Sequence, residues 1–284
     1  LILCLPKILT SLRLVKLLIT VILMYPILLS YGSFLLPSWH TMYAIGAFLA
    51  LWLFFSLAKL DVPGVAWPQL SRIFAICYVA GYFGARLLSI IIEEPEVIGI
   101  QDTLTAMIRF GPMTFYGGAL ASAFCGGIYA AKHRLPLARL FDCAIPAGLL
   151  ALSVGRVGCF LNGDDFGKAV PVPNDQVPPF WAVTFPNLGD NIARYPVQLI
   201  EAVLSLLLCL ACVKMLRRNL HREKGGIIAV FGVCGYAITR FFLEFIRDDY
   251  RGTIPWTQLS TSQGISLVLM IVSAVTLVRL SRLT

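Results

Sequence analysis

Polar side chains recur along one face of an apolar segment near residue 240. Four of them follow one another at intervals of four, four and three residues in the stretch YAITRFFLEFIR: Tyr236, Arg240, Glu244 and Arg247. At 3.6 residues per helical turn these positions share one face, and Arg240 lies close enough to Glu244 to pair with it. A structural ion pair between two helices would need only two of these residues. Because ionisable groups inside a membrane are costly and usually mark function, the longer stripe predicts a polar site.

A second polar stretch, GRVGCFLNGDDFG at residues 155–167, ends a long apolar run. Arg156 offers a planar fork of hydrogen-bond donors that suits a phosphate group. Gly155 and Gly158 have no side chain, which leaves room beside the arginine for a helix or a ligand. Asn162, Asp164 and Asp165 add hydrogen-bonding groups where the segment reaches water. We therefore expect one wall of a lipid-facing site that binds a phospholipid head group, with Arg156 and Arg240 close enough to share one phosphate.

The segments that carry these residues are long and apolar. Of the 284 residues, 58% are hydrophobic and 13% are charged, and the mean hydropathy is +0.81, whereas soluble domains contain roughly 25% charged residues. A membrane-spanning helix needs about 20 apolar residues. The composition predicts an all-α polytopic membrane protein. Eight apolar runs are candidate spans: Leu17–Leu36, Thr41–Ala58, Phe74–Ile92, Phe115–Ala131, Phe141–Leu161, Pro196–Met215, Gly225–Ile246 and Ser262–Val278.

The net charge is +8, and the basic residues that produce it are distributed unevenly between the loops. Alternate loops and flanks hold 15 of the 23 lysines and arginines, and the opposite loops hold most of the acids. This is the positive-inside pattern, so we expect both termini in the cytoplasm and no nucleic-acid partner. The one sizeable outer loop, residues 162–195, is rich in proline, asparagine and aspartate. Its aromatic residues Phe180, Trp181 and Phe185 indicate packing at the membrane interface.

The cysteines give little sign of metal chemistry. Seven of the eight fall inside the predicted spans or at their ends, where a thiol behaves as a small hydrophobic group. The spacing of Cys209 and Cys212 is that of half a metal site, but no histidine or second pair accompanies it. We expect neither a bound metal nor a cofactor.

Ordered motifs make the chain similar to the prolipoprotein diacylglyceryl transferases of bacterial inner membranes. That family's signature reads Gly-Arg-x-Gly-Asn-Phe-x-Asn-x-Glu-x-x-Gly. Six of its residues stand in register here, with Asp164 at the glutamate position: Gly155, Arg156, Gly158, Phe160, Asn162 and Gly167. Further matches are Gly84–Arg86, the Tyr116–Gly118 motif YGG, the Tyr195–Ala202 motif YPVQLIEA, Tyr236–Arg247, and STSQGISL at Ser260–Leu267.

The chain departs from the family pattern at several positions. Tyr116 stands where the family has histidine, Cys159 replaces an asparagine, and Tyr195 replaces a second histidine. Trp39-His40 replaces an aromatic Tyr-Gly pair. The family fold has seven spans with the N-terminus outside, so we expect residues 1–38 to form an extra N-terminal span before a transferase-like domain at 39–284. One extra span agrees with a cytoplasmic N-terminus.

The resemblance implies transfer of diacylglyceryl from phosphatidylglycerol to the lipobox cysteine thiol of a prolipoprotein. Phosphatidylglycerol, prolipoprotein signal peptides and membrane lipids would then be the partners, in a multi-pass protein of the inner membrane. The implied catalytic residues are Arg156, Arg240, Glu244 and Tyr116. The implied substrate-binding residues are Arg86, Gly117, Gly118, Gly155, Gly158, Asn162, Asp164, Gly167, Gln198, Glu201, Tyr236 and Arg247.

The departures leave alternatives open. A thiolate nucleophile needs a base or a lowered pKa, and the base could be Tyr116, Glu244 or water. The substitutions would also fit a non-catalytic relative that binds lipid as a subunit of a larger membrane complex, whose other partners are unknown. A transferase acting on another lipid or thiol, or a transporter, is a third alternative.

Overall fold

Helices account for most of the described chain. The computed structural model describes residues 26–31, 34–94, 97, 99–109, 111, 113–173, 177–218, 225–248, 254 and 256–282. Two strands lead into eight helices within this part of the chain. The elements are β1 (Ile27–Tyr31), β2 (Phe34–Pro37), α1 (Ser38–Asp61), α2 (Trp67–Glu93), α3 (Ile100–Ile108), α4 (Phe115–Lys132), α5 (Leu137–Asn162), α6 (Val197–Arg217), α7 (Ile227–Leu243) and α8 (Thr261–Arg282), with single 3-10 turns at Pro186–Leu188 and Glu244–Ile246.

Six of these helices are long and apolar enough to cross a membrane: α1, α2, α5, α6, α7 extended to Ile246, and α8. They coincide with six of the eight predicted spans, which confirms the prediction of an all-α polytopic membrane protein. The predicted span near Phe115 is also helical, as α4. It is shorter and rich in glycine and alanine, so it falls outside this set of six.

The first predicted span, Leu17–Leu36, is wrong in its second half. Residues 27–31 and 34–37 pair as the antiparallel strands β1 and β2, and the part of that span up to residue 25 lies outside the described residues. A short apolar run cannot be assigned to helix or strand by hydropathy alone. The prediction of an extra span at residues 1–38 therefore remains a prediction.

Helix α3 was not predicted from the sequence. It occupies the segment between α2 and α4, which the charge pattern assigned to the acidic loops on the outer side. Its apolar residues Ile100, Leu104 and Ile108 recur every four residues and are exposed, whereas Ala106 is buried. Nine residues are too few to produce a clear periodic signal in a sequence this apolar.

The chain divides into two units. The first unit comprises residues up to 57 and from 142 onward, and the second comprises residues 58–141. The second unit is built on α2 packed against α4, and glycines bring the two backbones together. A β carbon at Gly84 would lie 2.6 Å from the carbonyl oxygen of Gly117, and one at Gly118 would lie 3.0 Å from that of Gly81.

Glycines bring helices together in the first unit as well. A β carbon at Gly46 of α1 would lie 3.0 Å from the Ala151 carbonyl oxygen of α5, and one at Gly158 would lie 2.9 Å from Met42. At the start of α7, the buried Asp142 accepts backbone N–H bonds from Gly226 at 2.6 Å and from Ala229 at 2.7 Å. This carboxylate satisfies donors that the first turn of a helix leaves unpaired. Helices α6, α7 and α8 pack in sequence order.

The α2–α4 contact predicts a steric asymmetry between two glycines of α4. Gly117→Ala should lower the stability of the folded protein by about 1–3 kcal/mol, the usual cost of overpacking, because its new methyl group meets the backbone of Gly84. Gly127→Ala is the matched control, since no described atom lies within 4 Å of its β-carbon position. Thermal unfolding in detergent measures both variants. Equal midpoints for Gly117→Ala and Gly127→Ala would contradict the close approach.

Candidate active site

Charged side chains meet in the first unit where two helices end and two begin. Arg156 lies six residues before the end of α5, and Arg240 lies in the last turn of α7. Glu201 lies in the second turn of α6 and is fully buried. Ser262 lies at the start of α8. The ends of four apolar helices thus bring together side chains from distant parts of the sequence.

The arginines and glutamates form a continuous set of ion pairs. Nε of Arg156 lies 3.0 Å from Oε2 of Glu201, and Nη1 of Arg247 lies 3.7 Å from the same oxygen. Nε of Arg247 is 4.0 Å from Oε2 of Glu244. Glu244 in turn pairs with Nη2 of Arg240 at 2.9 Å, which confirms the predicted Arg240–Glu244 pair. The structure therefore links Arg156 to Arg240 through three charged side chains.

Asp165 completes this set, although the sequence analysis gave it no partner. Its Oδ2 accepts a hydrogen bond from Nη1 of Arg156 at 2.5 Å, and its Oδ1 accepts one from Nη2 of Arg247 at 2.9 Å. Sequence reasoning followed the family register to Asp164 instead. We call the six ionised residues the arginine–carboxylate cluster: Arg156, Asp165, Glu201, Arg240, Glu244 and Arg247.

Neutral polar side chains surround the cluster. Tyr236 donates its hydroxyl to Oε1 of Glu201 at 3.0 Å, and Nη2 of Arg240 donates to Oγ of Ser262 at 3.3 Å. The buried Gln198 donates from Nε2 to the backbone carbonyl of Asp164 at 2.6 Å. The predicted site residues Gln198, Glu201 and Tyr236 are therefore all brought to the arginines.

Some groups in this region remain open to a ligand. Nη1 of Arg240 and Oε1 of Gln198 are buried and have no hydrogen-bond partner among the described residues. A buried donor left unpaired costs about 1–3 kcal/mol, and more when it is charged. No described atom lies within 4 Å of the position that a β carbon on Gly155 would take. The site thus has a free guanidinium donor at Arg240 and open space next to Arg156.

The outer loop is tied to the cluster by backbone pairing. Gly167 forms an antiparallel bridge with Arg247, and the N–H of Lys168 donates to the carbonyl of Ile246 at 2.8 Å. Gly167 is required here, since a β carbon would meet Tyr195 and lie 2.7 Å from Val197. The loop segment that follows Asp165 is thereby fixed against the chain segment that carries Arg247.

Arg194 is a further buried arginine outside the cluster, and the sequence did not single it out. It pairs with Asp190 and with Asp248, each at 2.6 Å, and its guanidinium carbon lies 4.7 Å from the centre of the Phe166 ring. Arg194 also forms backbone bridges with Ala169 and with Val183 of the same loop. These contacts hold the two halves of the loop together and attach them beside Asp248.

The aromatic residues of the loop divide into two groups. Phe185 is buried against Phe160 of α5, with ring centres 6.2 Å apart. The expectation that Phe185 packs at the membrane interface is therefore wrong, because the loop has an apolar core of its own. Phe180 is 91% exposed, and Trp181 is exposed and stacks on Tyr195 at 5.3 Å.

The remaining residues of the glycine-rich stretch have structural partners. Asn162 hydrogen-bonds to the carboxylate of the exposed Asp164. The backbone N–H groups of Gly163 and Asp164 donate to the carbonyl of Cys159 at 2.9 and 3.0 Å, which ends α5. Gly158 is the point where α1 approaches α5. Assignment of substrate contacts to Asn162, Asp164, Gly158 and Gly167 stays a prediction.

Four predicted site residues belong to the second unit. Gly117 and Gly118 lie at the α2–α4 crossing, and this contact is enough to explain why both are glycine. Arg86 is buried; its Nε donates to the carbonyl of Ala106 at 3.1 Å and its guanidinium pairs with Glu94. Tyr116 lies in the first turn of α4, where its ring packs edge-on against Phe115. The catalytic assignment of Tyr116 stays a prediction.

Two positions that depart from the family pattern adjoin the cluster or the loop. Sγ of Cys159 accepts a weak contact from Nη1 of Arg156 at 3.9 Å. Tyr195 stacks on Trp181 in the loop. Neither residue is one of the six members of the arginine–carboxylate cluster, so neither substitution removes a charge from it.

Comparison with known proteins identifies the family. The model of the prolipoprotein diacylglyceryl transferase family matches residues 26–279 of this chain. The chain belongs to the prolipoprotein diacylglyceryl transferase family. This confirms the family inferred from the sequence motifs, and the match spans the cluster, the outer loop and both units.

Curated relatives carry the name phosphatidylglycerol–prolipoprotein diacylglyceryl transferase. That of Wolbachia sp. subsp. Drosophila simulans is 29% identical over 256 residues, covering 87% of this chain and 91% of the relative. That of Allorhizobium ampelinum is 30% identical over 233 residues, covering 78% and 77%. That of Rhizobium leguminosarum bv. trifolii is 32% identical over 227 residues, covering 78% and 73%. The names are those of enzymes, so these comparisons favour a transferase over a non-catalytic relative.

The Asp190–Arg194 contact predicts an acid-sensitive loop. The backbone N–H of Ile192 and the guanidinium of Arg194 stabilise the charged form of Asp190 and lower its pKa from the usual value. A lowered pKa in the folded state stabilises the fold above the unfolded pKa of about 4, and the effect disappears as the pH falls through the folded pKa. Asp190→Asn should therefore melt below the parent protein at neutral pH, and the difference should close in acid. A gap in midpoint that stays constant to about pH 2 would contradict this linkage.

Proposed function

We propose that the arginine–carboxylate cluster binds the phosphate of phosphatidylglycerol during diacylglyceryl transfer. The enzyme transfers the diacylglyceryl group of this lipid to the lipobox cysteine thiol of a prolipoprotein. The observation that carries the assignment is Nη1 of Arg240, which is buried without a hydrogen-bond partner among the described residues. A phosphate oxygen is an acceptor that suits this donor in charge and geometry.

The reaction concentrates charge where the arginines lie. A carbon–sulfur bond forms between the cysteine sulfur and the terminal glyceryl carbon of the diacylglyceryl group, while the carbon–oxygen bond to phosphate breaks. The phosphate oxygen takes the bonding electrons, and glycerol phosphate leaves with one more negative charge than the phosphodiester carried. Donors fixed around a developing charge stabilise the transition state more than the ground state. Arg156 and Arg240 fit this role, with Arg247 assisting.

The carboxylates position the arginines. Glu244 lies between Arg240 and Arg247, and Glu201 lies between Arg156 and Arg247. A guanidinium that is held by a fixed partner loses less conformational freedom when it binds phosphate. Gln198, Tyr236 and Gly155 complete the lipid site in this proposal, since they add hydrogen-bonding groups and open space.

The thiol proton must be accepted by another group. Glu244 contacts two guanidinium groups, which compete for its oxygen electron pairs. In the proposed mechanism Glu244 therefore positions the arginines, and the thiol proton leaves through the Tyr116 hydroxyl or directly to water. Tyr116 stands at the position where the family has histidine, so it would relay the proton through its hydroxyl.

The charge pattern sets the proposed location. The protein is a multi-pass bacterial membrane protein, and we place it in the inner membrane with the loop after α5 on the outer side and the lysine- and arginine-rich loops in the cytoplasm. The cluster then lies at the depth of the outer leaflet's head groups. Prolipoprotein signal peptides would reach it from the same leaflet.

Arg240→Lys tests the phosphate-binding role. The substitution keeps the charge but loses the planar fork that holds Glu244 and phosphate together. We expect transfer from labelled phosphatidylglycerol to a lipobox peptide to fall about 100- to 1,000-fold, the usual effect of losing one transition-state donor. The assay is done in detergent with the full chain.

Arg217→Lys is the matched control, because Arg217 is an exposed residue at the opposite end of α6. It should transfer lipid at the parent rate. Full activity of Arg240→Lys would contradict the role of the guanidinium fork. If the unmodified protein folds and binds phosphatidylglycerol but transfers nothing, the non-catalytic alternative is correct and the proposed function is wrong.

Tyr116→Phe tests the proton relay. Loss of a general acid–base group typically reduces turnover about 100- to 10,000-fold, and removal of the hydroxyl should do so without changing lipid binding. Phe115→Tyr is a useful companion, since it adds a hydroxyl to the exposed neighbouring ring and should leave the rate unchanged. Parent-level turnover in Tyr116→Phe would remove this tyrosine from the mechanism and leave Glu244 or water as the acceptor.

A further inference from the structure

Asp165 holds two arginines of the proposed phosphate site at once. Its two carboxylate oxygens lie 2.5 Å from Nη1 of Arg156 and 2.9 Å from Nη2 of Arg247. A phosphate group binds arginines in the same way, through two oxygens attached to one central atom. The carboxylate therefore occupies donors that a phosphodiester would need.

Asp165 is the carboxylate of the cluster that can leave most easily. Its side chain is 19% exposed, whereas those of Glu201 and Glu244 are 0% and 8% exposed. It lies on the loop after α5, while Glu201 is inside α6 and Glu244 is in the turn that ends α7. The backbone of Asp165 is left-handed, with φ of +58°, which is uncommon for a residue other than glycine. Its removal to solvent needs a local change between Gly163 and Gly167 rather than movement of a helix.

Charge balance requires some such change. The six described residues of the cluster carry three positive and three negative charges. A phosphodiester that entered without displacing a carboxylate would place an excess negative charge beside the buried side chains of Glu201 and Glu244. Like charges at short range in a low-dielectric site repel strongly. Departure of Asp165 to water would restore neutrality.

We propose that Asp165 is a phosphate surrogate, which pairs with Arg156 and Arg247 in the lipid-free enzyme and is displaced by the phosphate of phosphatidylglycerol. After transfer it returns to the arginines and competes with glycerol phosphate for them, which helps the product leave. Asp165 thus sets the affinity of the site for phosphate and makes no contact with the reacting carbon or sulfur. This inference rests on the proposed function, because it takes phosphatidylglycerol as the lipid.

Asp165→Asn tests the competition directly. The substitution keeps the size of the side chain but removes the charge that pairs with both arginines. We expect the KM for phosphatidylglycerol and the inhibition constant of free glycerol phosphate both to fall about 10- to 100-fold, the range for a hydrogen bond to a charged group. The KM for the lipid and the inhibition constant of the free phosphate ester are measured separately. Comparison of the two changes shows whether the site prefers one source of phosphate.

Asp102→Asn is the matched control, since Asp102 is an exposed aspartate in the first turn of α3 and is not a member of the cluster. Both constants should remain at parent values in this variant. If Asp165 served only to hold the arginines in place, Asp165→Asn would lower kcat and leave KM unchanged or higher. Either of those KM results would overturn the proposal.

A second measurement on the unmodified protein covers the case in which Asp165→Asn fails to fold. Amide hydrogen exchange of the segment 163–167 should increase when short-chain phosphatidylglycerol or glycerol phosphate is added, because displacement of Asp165 frees its backbone. Unchanged or slower exchange on ligand binding would overturn the proposal. If the protein binds phosphatidylglycerol without transferring it, the proposed function fails while the exchange result still decides the role of Asp165. If transfer occurs and neither KM nor exchange responds, the role of Asp165 alone is wrong.

Discussion

Guanidinium groups inside an apolar environment must be paired, and this requirement explains most of the arrangement in the first unit. A buried ion without a partner costs several kcal/mol, and removal of one member of a buried pair typically costs about 3–5 kcal/mol. Arg247 contacts three carboxylates, Arg156 contacts two, and Arg240 contacts one. Arg156 of α5 is thereby held to Glu201 of α6, and Arg247 links the segment after α7 to Glu201 and to Asp165 of the loop. Nη1 of Arg240, which has no hydrogen-bond partner among the described residues, is then available to a ligand.

The outer loop depends on the same pairing. Its segment at Gly167 bridges to Arg247, and its buried Arg194 pairs with Asp248, one residue further along the chain. The loop supplies Asp165 to the cluster, so the position of the loop and the position of two arginines are set together. A substitution that shifts the loop would also shift the proposed phosphate donors. For this reason we treat the loop as part of the proposed site, although it is distant in sequence from Arg240.

Helical periodicity predicted the ion pair between neighbouring turns of one element. Contacts between distant segments depended on the tertiary structure. The spacing of Arg240 and Glu244 fixed their contact before any fold was known, because residues four apart share a helix face. The pairing of Asp165 with Arg247 joins residues 82 positions apart, and no local spacing in the sequence indicates it. The pairing of β1 with β2 could not be predicted from hydropathy, because hydropathy is equally high in an apolar strand and an apolar helix. Phe185 was misplaced because a loop core is formed by contacts that no local pattern encodes.

The departures from the family pattern fall outside the charges of the cluster. Cys159 contacts Arg156 through sulfur, and Tyr195 stacks in the loop, so both change the neighbours of the site and leave its ion pairs in place. Tyr116 belongs to the second unit, which carries none of the six ionised residues of the cluster. In the proposed mechanism, binding of phosphate depends on those six residues, whereas removal of the thiol proton does not. Under that proposal, divergence in this chain bears on how the thiol is activated, while the ion pairs proposed to hold a phospholipid phosphate are retained.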